Sequence, residues 1–532
     1  MRCATGVAPT ATARYAAPMS SLLPSILATA LLAQSPAPPP SGLWRDATAE
    51  LLPRTAEWTH KVTLADLDGD GRIDLLFANG GGYSTPGEPE PNRVFLNRGP
   101  GRPFAEASLA VFGERPDLAR AIAAADLDGD GDLDLFVATA YGTPSRLFLN
   151  DGDGSFREVS NSHLPRLETS FGDVEAGDVD GDGDLDLVLA DWGPGDAMRN
   201  AGGPTRLWLN DGAGRFADRT RERMPDLAVG FSWDLELADV DRDWDLDILV
   251  SCKRCGGSLL LRNDGDGFFT LDPRGLPQYA NNYELEAMDL DGDGFLDLVT
   301  INDGAIVDGR SYHRREHVFL NDTEGRFVDA TPRLWPDPEN LGEDDNMVAF
   351  LDFDSDGDAD FLIASLSGPD RLMINDGTGR LRVATEVFEG EPTPGTLGIA
   401  VGDLDGDHRL DVVMSQGEHQ TAVEERIFIA TQRVPPDTAP PVVARVRVVG
   451  HAAARVEAEV HDRKTPVAPH DFSEVAALWS DATGERSREL TWFGGTLWRE
   501  APHEEDPGVR RDLRVCAADR AGNRTCASLE PR

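Results

Sequence analysis

Residues 126–156 read DLDGDGDLDLFVATAYGTPSRLFLNDGDGSF. The stretch opens on aspartates at positions one, three, five and nine of a nine-residue loop: Asp126, Asp128, Asp130 and Asp134. An apolar run, LFVAT, follows at once. A Gly/Pro loop leads to a second run, RLFLN, and a DGDG turn leads to a third, SFREVS. Short apolar runs bounded by Gly, Asn and Asp are the mark of antiparallel strands joined by tight turns.

The pattern D-x-D-x-D-x-x-x-D occurs six more times. Its aspartates are Asp66, Asp68, Asp70 and Asp74; Asp178, Asp180, Asp182 and Asp186; Asp239, Asp241, Asp243 and Asp247; Asp289, Asp291, Asp293 and Asp297; Asp352, Asp354, Asp356 and Asp360; and Asp403, Asp405, Asp407 and Asp411. Successive starts lie 50 to 63 residues apart, a period that signals a repeat architecture. An apolar run precedes each loop (VTLAD, VEAGD, LELAD), and two or three more follow it. Four strands per repeat and seven repeats predict an all-β fold, a seven-bladed β-propeller. The seventh repeat ends at Arg426–Thr431 without a fourth strand, while a spare one, LWRDAT, lies at Leu43–Thr48. The amino-terminal segment is therefore expected to complete the last blade.

The loop chemistry points to a hard cation. Four carboxylates and a backbone carbonyl at position seven converge, and oxygen donors in that number suit Ca²⁺. Gly at position six (Gly71, Gly131, Gly183, Gly294, Gly357) permits the sharp turn, but Trp244 and His408 replace it in the fourth and seventh loops. Ca²⁺ is expected in five loops strongly and in those two more weakly.

D-x-D-G-D-G-x-x-D followed by R-x-F-L-N-D-G-x-G-x-F, as in Asp126–Asp134 and Arg146–Phe156, resembles the FG-GAP/VCBS repeat propellers related to the integrin α-subunit head. The resemblance covers about residues 43–432. It implies the propeller fold and loop-bound calcium. Because such folds carry adhesion proteins, lectins and some lyases alike, it does not by itself specify an activity.

The remainder divides the chain into 1–41, 42–432, 433–441 and 442–532. Residues 20–33, SSLLPSILATALLA, preceded by Arg2 and Arg14, read as a signal peptide with a Pro-rich spacer behind it. No later apolar run reaches the length of a membrane span. The Pro-rich segment 433–441 reads as a linker. The last ninety or so residues alternate, as in VVARVRVV and ELTWF, and with P-P-D-T-A-P-P and A-A-D-R-A-G-N they resemble a bacterial immunoglobulin-like or fibronectin-like β-sandwich. Cys516 and Cys526, symmetric about Ala521, are placed to pair across a hairpin, and Cys252 and Cys255 form a second local pair. Two local pairs suit an oxidising, secreted or periplasmic setting.

The net charge of −44 argues against nucleic acid and anionic membrane as partners. Ligand recognition is expected on the face opposite the aspartate loops. That face carries the variable connections Asn79–Pro91, Ala140–Ser145, Asp191–Pro204, Ser251–Ser258, Asn302–Glu316 and Gln416–Glu425. Six residues before each first aspartate the chain should enter the central channel, at His60, Arg120, Gly172, Trp233, Tyr283, Asn346 and Leu397. The polar and aromatic members, His60, Arg120, Trp233, Tyr283 and Asn346, either grip a ligand or plug the channel. The expected function is a secreted, calcium-stabilised, non-catalytic binding or adhesion scaffold for a glycan or extracellular protein, acting as a monomer. A polysaccharide lyase or hydrolase is the alternative. It would need a base outside the loops, for which His313, His317, Glu418 and His419 are the candidates.

Overall fold

The computed structural model describes residues 41–529, apart from 83–84, 153, 196–198, 255–256, 279–281, 303–305, 308–309, 312–315, 391–394, 418–423, 450–454, 482–483 and 502–509. The segment read as a signal peptide, and Cys255, His313, Glu418 and His419, lie outside the described residues. Among the described residues no helix is long and apolar enough to cross a membrane.

Seven antiparallel sheets stand around an axis. Their innermost strands are Thr59–Ala65, Ala119–Ala125, Phe171–Gly177, Leu235–Ala238, Asn282–Met288, Asp345–Leu351 and Thr396–Gly402, each beside the next and the last beside the first. The second strands (Asp134–Thr139, for instance) are buried at every described position. Each is covered on both faces by neighbouring blades, which is why their sequences are continuously apolar instead of alternating.

The seventh blade is closed from the amino terminus. Trp44–Asp46 pairs antiparallel with Arg426–Ala430, Trp44 opposite Ala430. The same strand pairs in parallel with Phe388–Glu389, giving this blade a fifth strand that the sequence reading did not foresee.

Five of the six full inner strands carry a bulge near their start, where the register shifts across residue 60, 120, 283, 346 or 397; in Phe171–Gly177 the shift spans residues 172–173. A bulge sets two residues against one and re-aims their side chains. Successive residues such as His60 and Lys61 can then both line the channel.

Residues 442–528 form a seven-stranded antiparallel sheet. Its longest strand, Gly484–Gly494, pairs first with Phe472–Asp481 and then with Leu497–Glu500. Val456, Val460, Trp479, Trp498 and Val515 share one apolar core. Cys516 and Cys526 face each other in register and are joined in a disulfide. This sheet packs against the face of the propeller that carries the aspartate loops, a placement with no expectation in the sequence. Asp178 donates its backbone N–H to Phe493 O at 2.8 Å, and Phe350 donates to Thr465 Oγ1 at 3.1 Å.

Candidate metal loops and the central channel

Each loop is wound around its first aspartate. The carboxylate of Asp126 accepts the N–H groups of Gly129 (2.8 Å) and Gly131 (3.0 Å), and Asp289 accepts those of Gly292 and Gly294 (both 2.9 Å). Position six has positive φ in every loop, 83° at Gly71 and 97° at Gly131, and also 81° at Trp244 and 63° at His408. The ninth-position aspartate ties the loop shut: Asp134 accepts Leu127 N at 2.9 Å and Asn150 N at 2.8 Å. Burial pushes these ninth-position carboxyls up, to about 7 at Asp74 and Asp134, about 8 at Asp247 and Asp297 and about 9 at Asp186.

The donor set fits a cation. Groups such as Asp126, Asp128 and Asp134, or Asp178, Asp180 and Asp186, each bring carboxylate oxygens within 4.8 Å of one another. The third-position aspartate repeats a second feature. One oxygen of Asp68, Asp128, Asp180, Asp241, Asp291 and Asp354 is buried without a hydrogen-bond donor. An orphaned buried carboxylate oxygen is costly unless something positive meets it, and here it recurs at one position in six loops.

An asparagine at the end of the third strand completes this framework. Asn150 Nδ2 donates to Leu133 O in its own loop (3.2 Å) and to Leu67 O in the loop of the preceding blade (3.0 Å). Asn97, Asn210, Asn263, Asn321 and Asn375 make the same inter-blade bond, to Leu404, Leu127, Val179, Val240 and Leu290. The seventh blade has Ala430 there. At that seam the segment after the propeller intervenes instead: Thr438 N and Ala439 N donate to Ser355 Oγ, and Asp437 N donates to His408 O.

A model of the FG-GAP-like repeat matches residues 66–137, 126–189 and 352–414. The chain carries FG-GAP-like repeats. Mouse (Mus musculus) cartilage acidic protein 1 is 30% identical over 139 residues, covering 24% of this chain and 20% of the relative. The human (Homo sapiens) protein of that name matches to the same extent, so the chain spans about a fifth of the length of the curated relatives it matches. Among solved structures, an Agrocybe aegerita lectin that recognises non-reducing terminal N-acetylglucosamine covers 62% of this chain and 80% of its own, at 19% identity and a TM-score of 0.41. BBS1N, solved with ARL6DN, covers 74% and 98% at 13% identity and 0.44.

In this chain the FG-GAP-like loops also dock the carboxy-terminal sheet. Arg445 reaches Asp239 and Arg499 reaches Asp178, the first-position aspartates of loops four and three. Arg463 Nε donates to Gly357 O in loop six at 2.5 Å. Trp244 lies under the guanidinium groups of Arg445 (4.2 Å) and Arg447 (4.7 Å). The residue that departs from the Gly rule is thus a contact for the sheet, and cation–π attraction offsets its positive φ.

The channel residues converge and are buried. Arg120 Nη1 donates to His60 Nδ1 at 3.0 Å, and His60 Nε2 donates to Gly80 O at 3.0 Å. Burial and the Arg120 charge hold His60 well below its ordinary pKa, so it is neutral. Trp233 stacks on Trp192 (5.7 Å) and meets Tyr283 edge-on (5.8 Å), with Arg120 over both indoles. Asn346 donates to Leu397 O. Trp233, at 7%, is the most exposed of these side chains. Of the candidate bases, His317 is buried, held by Asn302 at 2.7 Å and stacked on Phe319. Cys252 is buried and disulfide-bonded.

The inter-blade asparagines and the docking arginines were not singled out in the sequence. The asparagines had a signal: they close every third run except the last, which ends Ile-Ala. The arginines had none: Arg445 and Arg499 sit on strands whose sequence does not mark them out, and Arg463 lies just past the end of one.

Proposed function

We propose that this protein is a secreted, calcium-stabilised propeller that binds a glycan or extracellular protein without catalysis, through the face opposite its aspartate loops. One observation carries the reading: among the described residues the carboxy-terminal sheet docks on the loop face, which leaves recognition to the opposite face. His60, Arg120, Trp233, Tyr283 and Asn346 are then the floor of that surface, closed beneath the ligand. Calcium in the loops is supported by the all-oxygen donor set and the repeated orphan oxygen at position three. Residues 42–432 are the propeller, and 433–441 leads to a β-sandwich of immunoglobulin or fibronectin type at 442–532. The way the strand Gly484–Gly494 passes from one set of partners to another around a shared core supports that type.

The test is a glycan array probed with the full chain in millimolar Ca²⁺, beside a polysaccharide-lyase assay on the same ligands. Binding without turnover, abolished by a chelator that also lowers the melting temperature, is the expected result. Turnover would favour the enzyme, and a melting temperature indifferent to chelator would remove calcium from the account.

A further inference from the structure

Between the aromatic plug and the docked sheet the channel encloses a cavity of about 180 Å³, walled by the inner strands and by residues 464–470. Its charge is lopsided. Three adjacent inner strands carry an acid five residues before their first loop aspartate (Asp173, Asp234, Glu284) and a glutamate three residues before it (Glu175, Glu236, Glu286). Side chains two apart on a strand share a face, so these form two acidic levels in the channel. The other four strands have Lys61, Ala121, Met347 and Gly398 at the upper level, and Thr63, Ala123, Ala349 and Ala400 at the lower.

The upper level has its own cation. Lys61 Nζ sits 2.7 Å from Asp173 Oδ1 and 3.1 Å from Asp234 Oδ1. The lower level has no ion pair of its own among the described residues, although Lys61 also attracts Glu175 and Glu286. Glu175 and Glu236 face the cavity with no side-chain hydrogen bond or ion pair among the described residues, and Glu175, Glu236 and Glu286 repel one another electrostatically. The other ammonium at the wall, Lys464, is committed to Asp471 at 2.9 Å. A second observation is independent of the count. Glu286, at the cavity wall and hydrogen-bonded by Thr465, keeps one buried oxygen, Oε2, without a partner. At the upper level Glu284, 2% exposed, likewise keeps Oε1 without a donor while its Oε2 accepts Val348 N at 2.6 Å.

We propose that the lower level, Glu175, Glu236 and Glu286, holds a divalent hard cation of the calcium class inside the channel, a site separate from the seven loops. The donors are all carboxylate oxygens, the chemistry such ions take. The cavity leaves room for the waters that complete a shell. The docked segment 464–470 closes the site from solvent, so the ion exchanges slowly and is retained when the loops are stripped.

Two measurements decide it. Crystals of the full chain grown in Ca²⁺ should show an anomalous peak between Glu175, Glu236 and Glu286, whatever the loops contain. Loops filled and channel empty would overturn the proposal, whereas channel filled and loops empty would sustain it and refute the loop reading alone. Metal content of the Ca²⁺-equilibrated protein should fall by one equivalent in E175Q/E236Q/E286Q. Unchanged content would mean that protons, not a metal, neutralise the cluster. Should the triple variant fail to fold, the wild-type crystal still decides.

Discussion

Asn150 shows how much one buried amide does for the ring. Its Oδ1 accepts Gly152 N at 3.1 Å, and its Nδ2 bonds two carbonyls in two different blades. Alanine would strand both carbonyls and leave the turn amide without its acceptor. Each buried group left unpaired costs roughly 1–3 kcal/mol, part of which water or local movement recovers. N150A is therefore expected to lower stability by about 2–4 kcal/mol, read as the shift of the urea midpoint in saturating Ca²⁺. An aspartate can still accept Gly152 N but cannot donate to Leu67 O or Leu133 O, so it should recover only the turn bond. A change under about 0.5 kcal/mol, the size of an ordinary surface substitution, would mean the inter-blade bond is decorative.

At the scale of the element, loop four carries non-glycine residues at both of its positive-φ positions, Arg242 and Trp244. Its strain is tolerated because Trp244 holds Arg445 and Arg447 of the docked strand Val442–Val449. W244A removes two cation–π contacts, about 1–3 kcal/mol together. It should speed proteolysis between residues 433 and 441 while leaving the blades protected, and equal cleavage rates would dismiss the docking role.

The same junction sets what the sequence made legible. Metal ligation needs fixed spacing on one loop, so the aspartates announce themselves. Buried second strands need apolar runs, so the blades do too. The docking of one sheet on another depends on which distant surfaces meet, and ARVRVV does not say that Arg445 meets Asp239. Trp244 therefore read as a defect in a metal loop. The acids of the inner strands passed unnoticed for a related reason: Glu175 or Glu236 alone is an ordinary strand residue, and only the ring places them together.

The junction also responds to pH. Burial, reinforced by Asp437, Asp519 and Asp471, pushes Asp462 up to about 8, and burial pushes Asp437 up to about 6. Both line a cavity of about 380 Å³ between the sheet and the first, sixth and seventh loops. A carboxyl whose folded-state pKa is raised binds a proton that the unfolded chain has released. Its stabilisation is complete below about pH 4 and is lost as pH rises through the folded value. With Ca²⁺ saturating, the docked sheet should loosen progressively from about pH 4 to about pH 8. The reading is faster hydrogen exchange at Thr438 and Ala439, whose amides bond Ser355. D462N should remove most of that dependence, and an unchanged slope in D462N would place the titration elsewhere.

For the whole molecule the decisive contact joins residues nearly four hundred positions apart. Trp44 is fully buried, its Nε1 donates to Leu410 O at 2.8 Å, and its ring stacks on Phe388 at 5.3 Å. Behind it Ala47 N donates to Ile427 O at 2.9 Å, Ile427 N donates to Thr48 Oγ1 at 3.0 Å, and Arg426 pairs with Asp46 at 2.8 Å. A toroid without this strand exposes the edge of its last blade, and every blade depends on neighbours on both sides. The loss should therefore spread instead of remaining local. W44A alone is expected to cost about 3–5 kcal/mol, as for a large aromatic taken from a packed core. A chain beginning at residue 51 should unfold far below one beginning at residue 42, and a peptide of residues 42–50 added in trans should recover part of the difference by mass action. Two chains that melt together, with no effect of the peptide, would show that the seven blades close without their amino-terminal strand.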